Sequence, residues 1–136
     1  MARSIHIAEQ VAAQLVEQVR RSPARECCGL LAGRDGTVTR SFPAVNAASD
    51  PAISYDIAPE ELFRLMREMR AAGLELLGIY HSHPNGQNEP SPSDVERAYY
   101  PDAAYFIISP REDAAQPVRA FSIRDGRVAE LAFEIT

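Results

Sequence analysis

Apolar positions recur at four-residue spacing at Val11, Leu15 and Val19, with Ala8 and Ala12 beside them. That pattern predicts an amphipathic helix over residues 8–21, ended by Pro23. The pattern then changes. Cys27 to Ala32 is an unbroken apolar run around Gly29, which suits a buried strand, and Arg34-Asp35-Gly36 supplies turn chemistry before a returning strand from Thr37 to Phe42. Residues 43–54, rich in Ala, Ser, Asn and Pro, are expected to be irregular or weakly extended. Pro59 followed by Glu60 and Glu61 marks a helix start, because proline fits the first helical position and acids suit the N-terminal dipole. Leu62, Leu65, Met66 and Met69 form the stripe of this second helix, and Gly73 stops it. Leu74 to His83 reads as a central strand, followed by a polar loop from Pro84 to Pro90. Ser91-Pro92-Ser93-Asp94 opens a short helix to about Tyr99, and Tyr105 to Ser109 is another buried strand. Val118–Ile123 and Val128–Ile135 are joined by Asp125-Gly126, a strong hairpin signal.

Strands and helices are thus interspersed, with antiparallel hairpins towards both ends and one helix–strand unit between them. This order predicts an α+β fold, a central β-sheet flanked by helices. At 136 residues the chain fits a single domain, residues 1–136, long enough to bury about two-thirds of its unfolded surface without disulfides. Composition adds little: 46% hydrophobic and 24% charged residues are ordinary for a globular protein. The net charge of −5 argues against a nucleic-acid partner, which would require a basic face. Cys27 and Cys28 are adjacent and are expected to stay reduced, as in a cytoplasmic protein. Residues 1–10 lack the apolar stretch of a signal peptide, and no apolar run approaches the roughly 20 residues that cross a bilayer. The expectation is a cytoplasmic protein with no membrane partner.

The candidate chemistry begins at His81-Ser82-His83. In a strand, side chains two apart share a face, so the two imidazoles project together and can reach one ion at about 2.0–2.1 Å each. A bare pair of this kind also fits a buried core histidine next to a loop histidine. Asp94, eleven residues beyond His83, can fold back over the strand end from the first turn of its helix. There it either completes a metal site or, with Ser91, forms a helix-capping box, or does both. Two histidines and one aspartate leave a tetrahedral position open, as in a catalytic rather than a structural zinc site. Such a site needs a general base outside the ligand shell, and local sequence does not single one out among twelve glutamates.

His81-Ser82-His83-Pro84, with seven residues between His83 and Ser91, then Ser91-Pro92-Ser93-Asp94 resembles the motif of the JAMM (MPN-plus) zinc metalloproteases. Glu26-Cys27-Cys28-Gly29-Leu30-Leu31-Ala32-Gly33 is similar to the same family's upstream glutamate segment, and the resemblance covers residues 4 to 135. It implies a mixed, mostly antiparallel sheet flanked by helices, of the cytidine-deaminase-like kind. It implies one Zn2+ held by His81, His83 and Asp94. Glu26 would take a proton from the attacking water and deliver it to the leaving amine, and Ser91 would donate to the oxyanion. Without the resemblance, Glu26 reads as an exposed residue after Pro23 and Arg25. Cys27 and Cys28 are expected to be small packed core residues, and His6 to face solvent on a short strand.

Family members cleave peptide or isopeptide bonds after the glycine tail of ubiquitin or ubiquitin-like proteins. The short chain resembles the compact prokaryotic type, whose partners are small sulfur-carrier proteins ending in Gly-Gly. A narrow groove accepting that tail by strand addition would suit such a partner. The alternative is a non-catalytic MPN-type binding scaffold, which lacks the ligands this chain carries. A non-haem iron site shares the two-histidine, one-carboxylate set. A homodimer is left open.

Overall fold

The structure, a computed structural model, describes residues 5–136. The first four residues, including Ser4 where the family resemblance begins and the start of the segment read as lacking a leader, lie outside the described residues. The element order is β1 (Ile5–Ile7), α1 (Glu9–Arg21), β2 (Cys28–Arg34), β3 (Thr37–Ala44), α2 (Pro59–Ala71), β4 (Glu75–Ser82), α3 (Pro92–Glu96), β5 (Ala104–Ile108), β6 (Val118–Arg124), β7 (Arg127–Leu131) and β8 (Phe133–Ile135). The described strands join in one sheet of order β7-β6-β5-β4-β2-β3-β1-β8. β2 runs antiparallel to both β3 and β4, and β6 antiparallel to both β5 and β7. β4 is parallel to β5, and β1 is parallel to both β3 and β8. The expected α+β architecture, a mixed and mostly antiparallel sheet flanked by helices, is what the chain adopts.

Alternation along the strands divides the core in two. Leu31, Tyr80, Phe106, Ile108 and Ala120 pack with Val11, Leu15 and Val19 of α1 on one face. Leu30, Ile79, Tyr105, Ile107 and Phe121 pack with Leu65 and Met69 of α2 on the other. Both hairpins turn on Asp-Gly pairs with positive φ at each residue, 53° and 76° at Asp35-Gly36 and 49° and 77° at Asp125-Gly126. Gly29 answers a different need: a Cβ there would lie 2.4 Å from the Phe42 carbonyl oxygen and 2.7 Å from the Tyr80 hydroxyl.

Three expectations are adjusted. The segment Val128–Ile135 is not one strand; it breaks at Ala132 into β7 on β6 and β8 on β1. β7 and β8 stand at opposite ends of the strand order yet are one residue apart in sequence, so the sheet must curl around α1. Leu131 and Phe133, on either side of the break, both pack against the α1-side core. The third helix stops at Glu96 rather than near Tyr99. Tyr100 precedes Pro101, a position that disfavours helix, and its N–H donates to the Tyr105 hydroxyl at 3.1 Å. His6 is half-buried on β1, with Nδ1 3.6 Å from a Glu134 carboxylate oxygen, rather than free in solvent. No helix among the described residues is long and apolar enough to cross a membrane.

Candidate metal centre

The site forms where β4 ends. His81 is its penultimate residue, paired with Cys28 of β2 on one side and Ile107 of β5 on the other, and is only 1% exposed. Ser82 turns to the opposite face, where its Oγ accepts from the Cys27 N–H at 2.8 Å. His83 lies just past the strand, tied by its N–H to the Ile108 carbonyl. Its Nδ1 is 2.6 Å from the carbonyl oxygen of Gln87. A carbonyl only accepts, so Nδ1 carries a proton, and a neutral His83 presents a bare lone pair at Nε2.

Asp94 arrives from the first turn of α3. Its Oδ2 is 3.1 Å from His81 Nε2 and 3.0 Å from His83 Nε2, and the two Nε2 atoms are 3.1 Å apart. Three donor atoms therefore stand at the corners of a nearly equilateral triangle. A tetrahedral ion with bonds of about 2.0–2.1 Å would separate its ligands by roughly 3.3 Å, close to what these side chains adopt. The capping box is real as well. Ser91 Oγ accepts from the Asp94 N–H at 3.1 Å, and Asp94 Oδ2 accepts from the Ser91 N–H at 2.9 Å. The cap holds the carboxylate beside the two imidazoles, so capping α3 does not take Asp94 away from a ligand position.

Glu26 is not the exposed residue its neighbours suggest. It is 4% exposed, and its carboxylate, His81 and His83 each offer a ligand atom within 4.8 Å of the others. Glu26 Oε1 and His81 Nδ1 are the buried side-chain atoms that find no hydrogen-bond partner among the described residues. A buried carboxylate oxygen without a donor is costly unless something else supplies the charge or the proton. Two carboxylates thus face the histidine pair, with Asp94 in direct contact and Glu26 beyond it. The donor set, two imidazole nitrogens and a carboxylate oxygen with a second carboxylate behind, fits a divalent cation.

The local electrostatics follow from burial and from this crowding. Burial pushes the Glu26 carboxyl up to about 7, with the neighbouring His83 pulling down and Asp94 adding to the rise. Burial also lowers His81 against the pull of Asp94. At His83 burial lowers the pKa, but hydrogen bonds to Asp94 and Gln87 outweigh it and raise the imidazole. Burial opposes ionisation of Asp94, yet hydrogen bonds from both histidines hold it well below the usual carboxylate range. The cysteines are bystanders. Both are free thiols; burial pushes Cys28 up to about 12 and Cys27 upwards too, so neither offers a thiolate at neutral pH.

The five residues singled out in the sequence, Glu26, His81, His83, Ser91 and Asp94, gather at one place. A cleft of about 430 Å³ opens onto it, lined by Glu26, Ile53, His83, Asn85 and Ser91 among others. A larger groove of about 1500 Å³ runs between α1 and β6–β8 on the other side of the sheet, and no histidine lines it. Sequence reasoning missed three contributors. Tyr55 stacks on the His81 ring, centroids 4.4 Å apart and planes 23° apart, and its place as the one aromatic between residues 43 and 58 was the available signal. The Gln87 carbonyl acts through backbone, so no side-chain pattern could reveal it. Asn46 lies in the segment read as irregular.

A mixed sheet between helices, with two histidines and two carboxylates gathered at one strand end, is the arrangement implied by the resemblance to the JAMM (MPN-plus) metalloproteases. Residues 8–124 match the prokaryotic homologs of the JAB domain, and the chain belongs to that family. A desampylase of Haloferax volcanii is 41% identical over 90 residues, 65% of either chain, so the match spans just under two-thirds of that relative. A CysO-cysteine peptidase of Mycobacterium tuberculosis is 36% identical over 118 residues, 85% of this chain and 80% of that one. The solution structure of protein DSY2949 from Desulfitobacterium hafniense superposes with a TM-score of 0.86 at 30% identity, covering 97% of this chain and 92% of that one.

Proposed function

We propose that this chain is a zinc-dependent metallopeptidase that hydrolyses a peptide or isopeptide bond after the C-terminal Gly-Gly of a ubiquitin-like sulfur-carrier protein. The observation that carries the reading is the triangle of His81, His83 and Asp94 with the partnerless, buried Glu26 behind it. Relatives named as a desampylase and as a CysO-cysteine peptidase support the reaction class and the kind of substrate.

His81, His83 and Asp94 would hold the metal, leaving Glu26 outside its shell. Zinc, when bound there, supplies Lewis acidity that readies a water for attack at neutral pH. Glu26 takes one proton from the attacking water as the new C–O bond forms. It then delivers that proton to the leaving nitrogen as the C–N bond breaks, and the water's second proton passes from the new carboxyl to the amine, so the products are a free Gly-Gly carboxylate and an ammonium. A carboxyl held near pH 7 is matched to both halves of that transfer. Ser91 Oγ uses a lone pair to cap α3, which leaves its hydroxyl proton to donate to the developing oxyanion, a contribution of about 3 kcal/mol. The non-catalytic scaffold alternative finds no support in a site that keeps every ligand.

β4 is paired on both sides, by β2 and β5, so an incoming tail finds no free strand edge at the metal. The tail is instead threaded along the cleft between Ala52–Ile53 and the 84–92 segment, and a tail without side chains suits so narrow a path. The test is direct. Zinc-loaded protein is incubated with a conjugate of a Gly-Gly-tailed carrier, and the products are weighed. Release of the carrier with a free Gly-Gly end is expected, and metal analysis should find about one zinc per chain rather than iron. An intact conjugate after incubation with zinc-loaded wild type would refute the reading.

A further inference from the structure

Glu26 sits in irregular chain just before β2, where no strand ladder fixes it, yet a proton carrier must be held to within a fraction of an ångström. Its backbone is pinned on both sides by the segment that follows β3. The Glu26 N–H donates to the Pro51 carbonyl at 2.7 Å, and the Glu26 carbonyl accepts from Asn46 Nδ2 at 2.9 Å. The same Nδ2 donates to the Ser54 carbonyl at 2.9 Å. Asn46 Oδ1 accepts from the N–H groups of Ala48 at 3.0 Å and Asp56 at 3.2 Å. The two donors and two acceptor sites of this half-buried amide are therefore all used. The segment is closed beneath them by the Ala47 N–H to the Asp56 carbonyl at 2.8 Å.

What this segment carries explains why the arrangement matters. Pro51 holds Glu26, Ala52 and Ile53 wall the cleft, and Tyr55 stacks on His81. We infer that Asn46 is a positioning residue for the cleavage, its side-chain amide locking Glu26 and the Pro51–Tyr55 wall into one unit facing the histidine pair. The inference rests on the reading above that Glu26 carries the proton. Only an amide fits. Aspartate keeps the shape and the two acceptor bonds but cannot donate to Glu26 and Ser54, and alanine loses all four.

The test uses the zinc-loaded full chain and a carrier conjugate with a Gly-Gly tail. Asn46→Ala is expected to keep its zinc and a KM within about twofold of wild type while kcat falls roughly 10- to 100-fold. Amide hydrogen exchange should quicken at Glu26, Ala48 and Asp56 but not at Leu31 or Phe106. Asn46→Asp, which carries the test if the alanine variant does not fold, should lose kcat similarly while Ala48 and Asp56 stay protected. Added to Glu26→Gln, Asn46→Ala should cost no further activity. Full kcat in Asn46→Ala, an equal further loss in the Glu26→Gln background, or unchanged exchange at Glu26 would each overturn the inference. If wild type cleaves nothing, the functional reading fails, and exchange at Glu26 still decides whether Asn46 holds it.

Discussion

The two faces of β4 carry polar groups of opposite kinds. Towards α1 it presents Tyr80 and Ser82, and each is satisfied: the Tyr80 hydroxyl donates to Gln18 Oε1 at 2.7 Å, and Ser82 Oγ accepts from Cys27. Towards α2, one residue along, it presents His81 beside Glu26, and each keeps a buried atom without a partner. On the first, the polar groups close on one another and lock the helix to the sheet; on the second, His81 Nε2, His83 Nε2 and the Asp94 and Glu26 carboxylates gather at one place. A satisfied buried group is structural, and an unsatisfied cluster marks where free energy is reserved for a ligand.

Substitutions on the two faces should therefore separate stability from metal binding. The largest effect is expected for Asp94→Ala, which removes one corner of the triangle and half of the α3 cap. Zinc content and cleavage should both be lost, as read by metal analysis and a product assay. Glu26→Gln should keep the zinc and lose roughly 10²- to 10⁴-fold in kcat. The same variant sharpens the comparison in metal-free protein. Glu26 titrates near 7 in the fold against an ordinary 4.5, so the folded state holds its proton more tightly. Its stabilising contribution is complete below about pH 4.5 and is lost as pH rises through 7, a fall of about 3 kcal/mol. Glu26→Gln should abolish that fall, which denaturant titrations at pH 4 and 8 would measure.

On the α1 face the effects should be on stability alone. Leu31→Ala, at a fully buried position, is expected to cost about 2–5 kcal/mol in chemical denaturation while the folded fraction still binds zinc. Tyr80→Phe should cost least, about 0.5–1.5 kcal/mol for the bond to Gln18, with kcat unchanged. A loss of zinc in either variant would mean that the two faces are not independent.

The same division governs what the sequence could reveal. Helices and strands were legible because their signals are local: the Val11, Leu15, Val19 stripe, Pro59 at a helix start, Asp-Gly at both turns. The β7–β8 break was not, because it depends on which strand lies across the curled sheet, and nothing near Ala132 encodes that. His81, His83 and Asp94 were legible because one strand and the following helix deliver them at a fixed spacing. Glu26 emerged only through the resemblance, since the groups that hold its backbone, Pro51 and Asn46, lie farther along the chain. Asn46 and Tyr55 act across the fold from an irregular segment, where single-residue patterns carry no period.

The most direct test of the converging side chains is anomalous diffraction from zinc-loaded crystals, read together with the ligand distances. One zinc is expected within about 2.0–2.2 Å of His81 Nε2, His83 Nε2 and an Asp94 oxygen, with Glu26 beyond bonding distance. Zinc bound by Glu26 in place of Asp94, or histidines directed away from a common ion, would contradict the account.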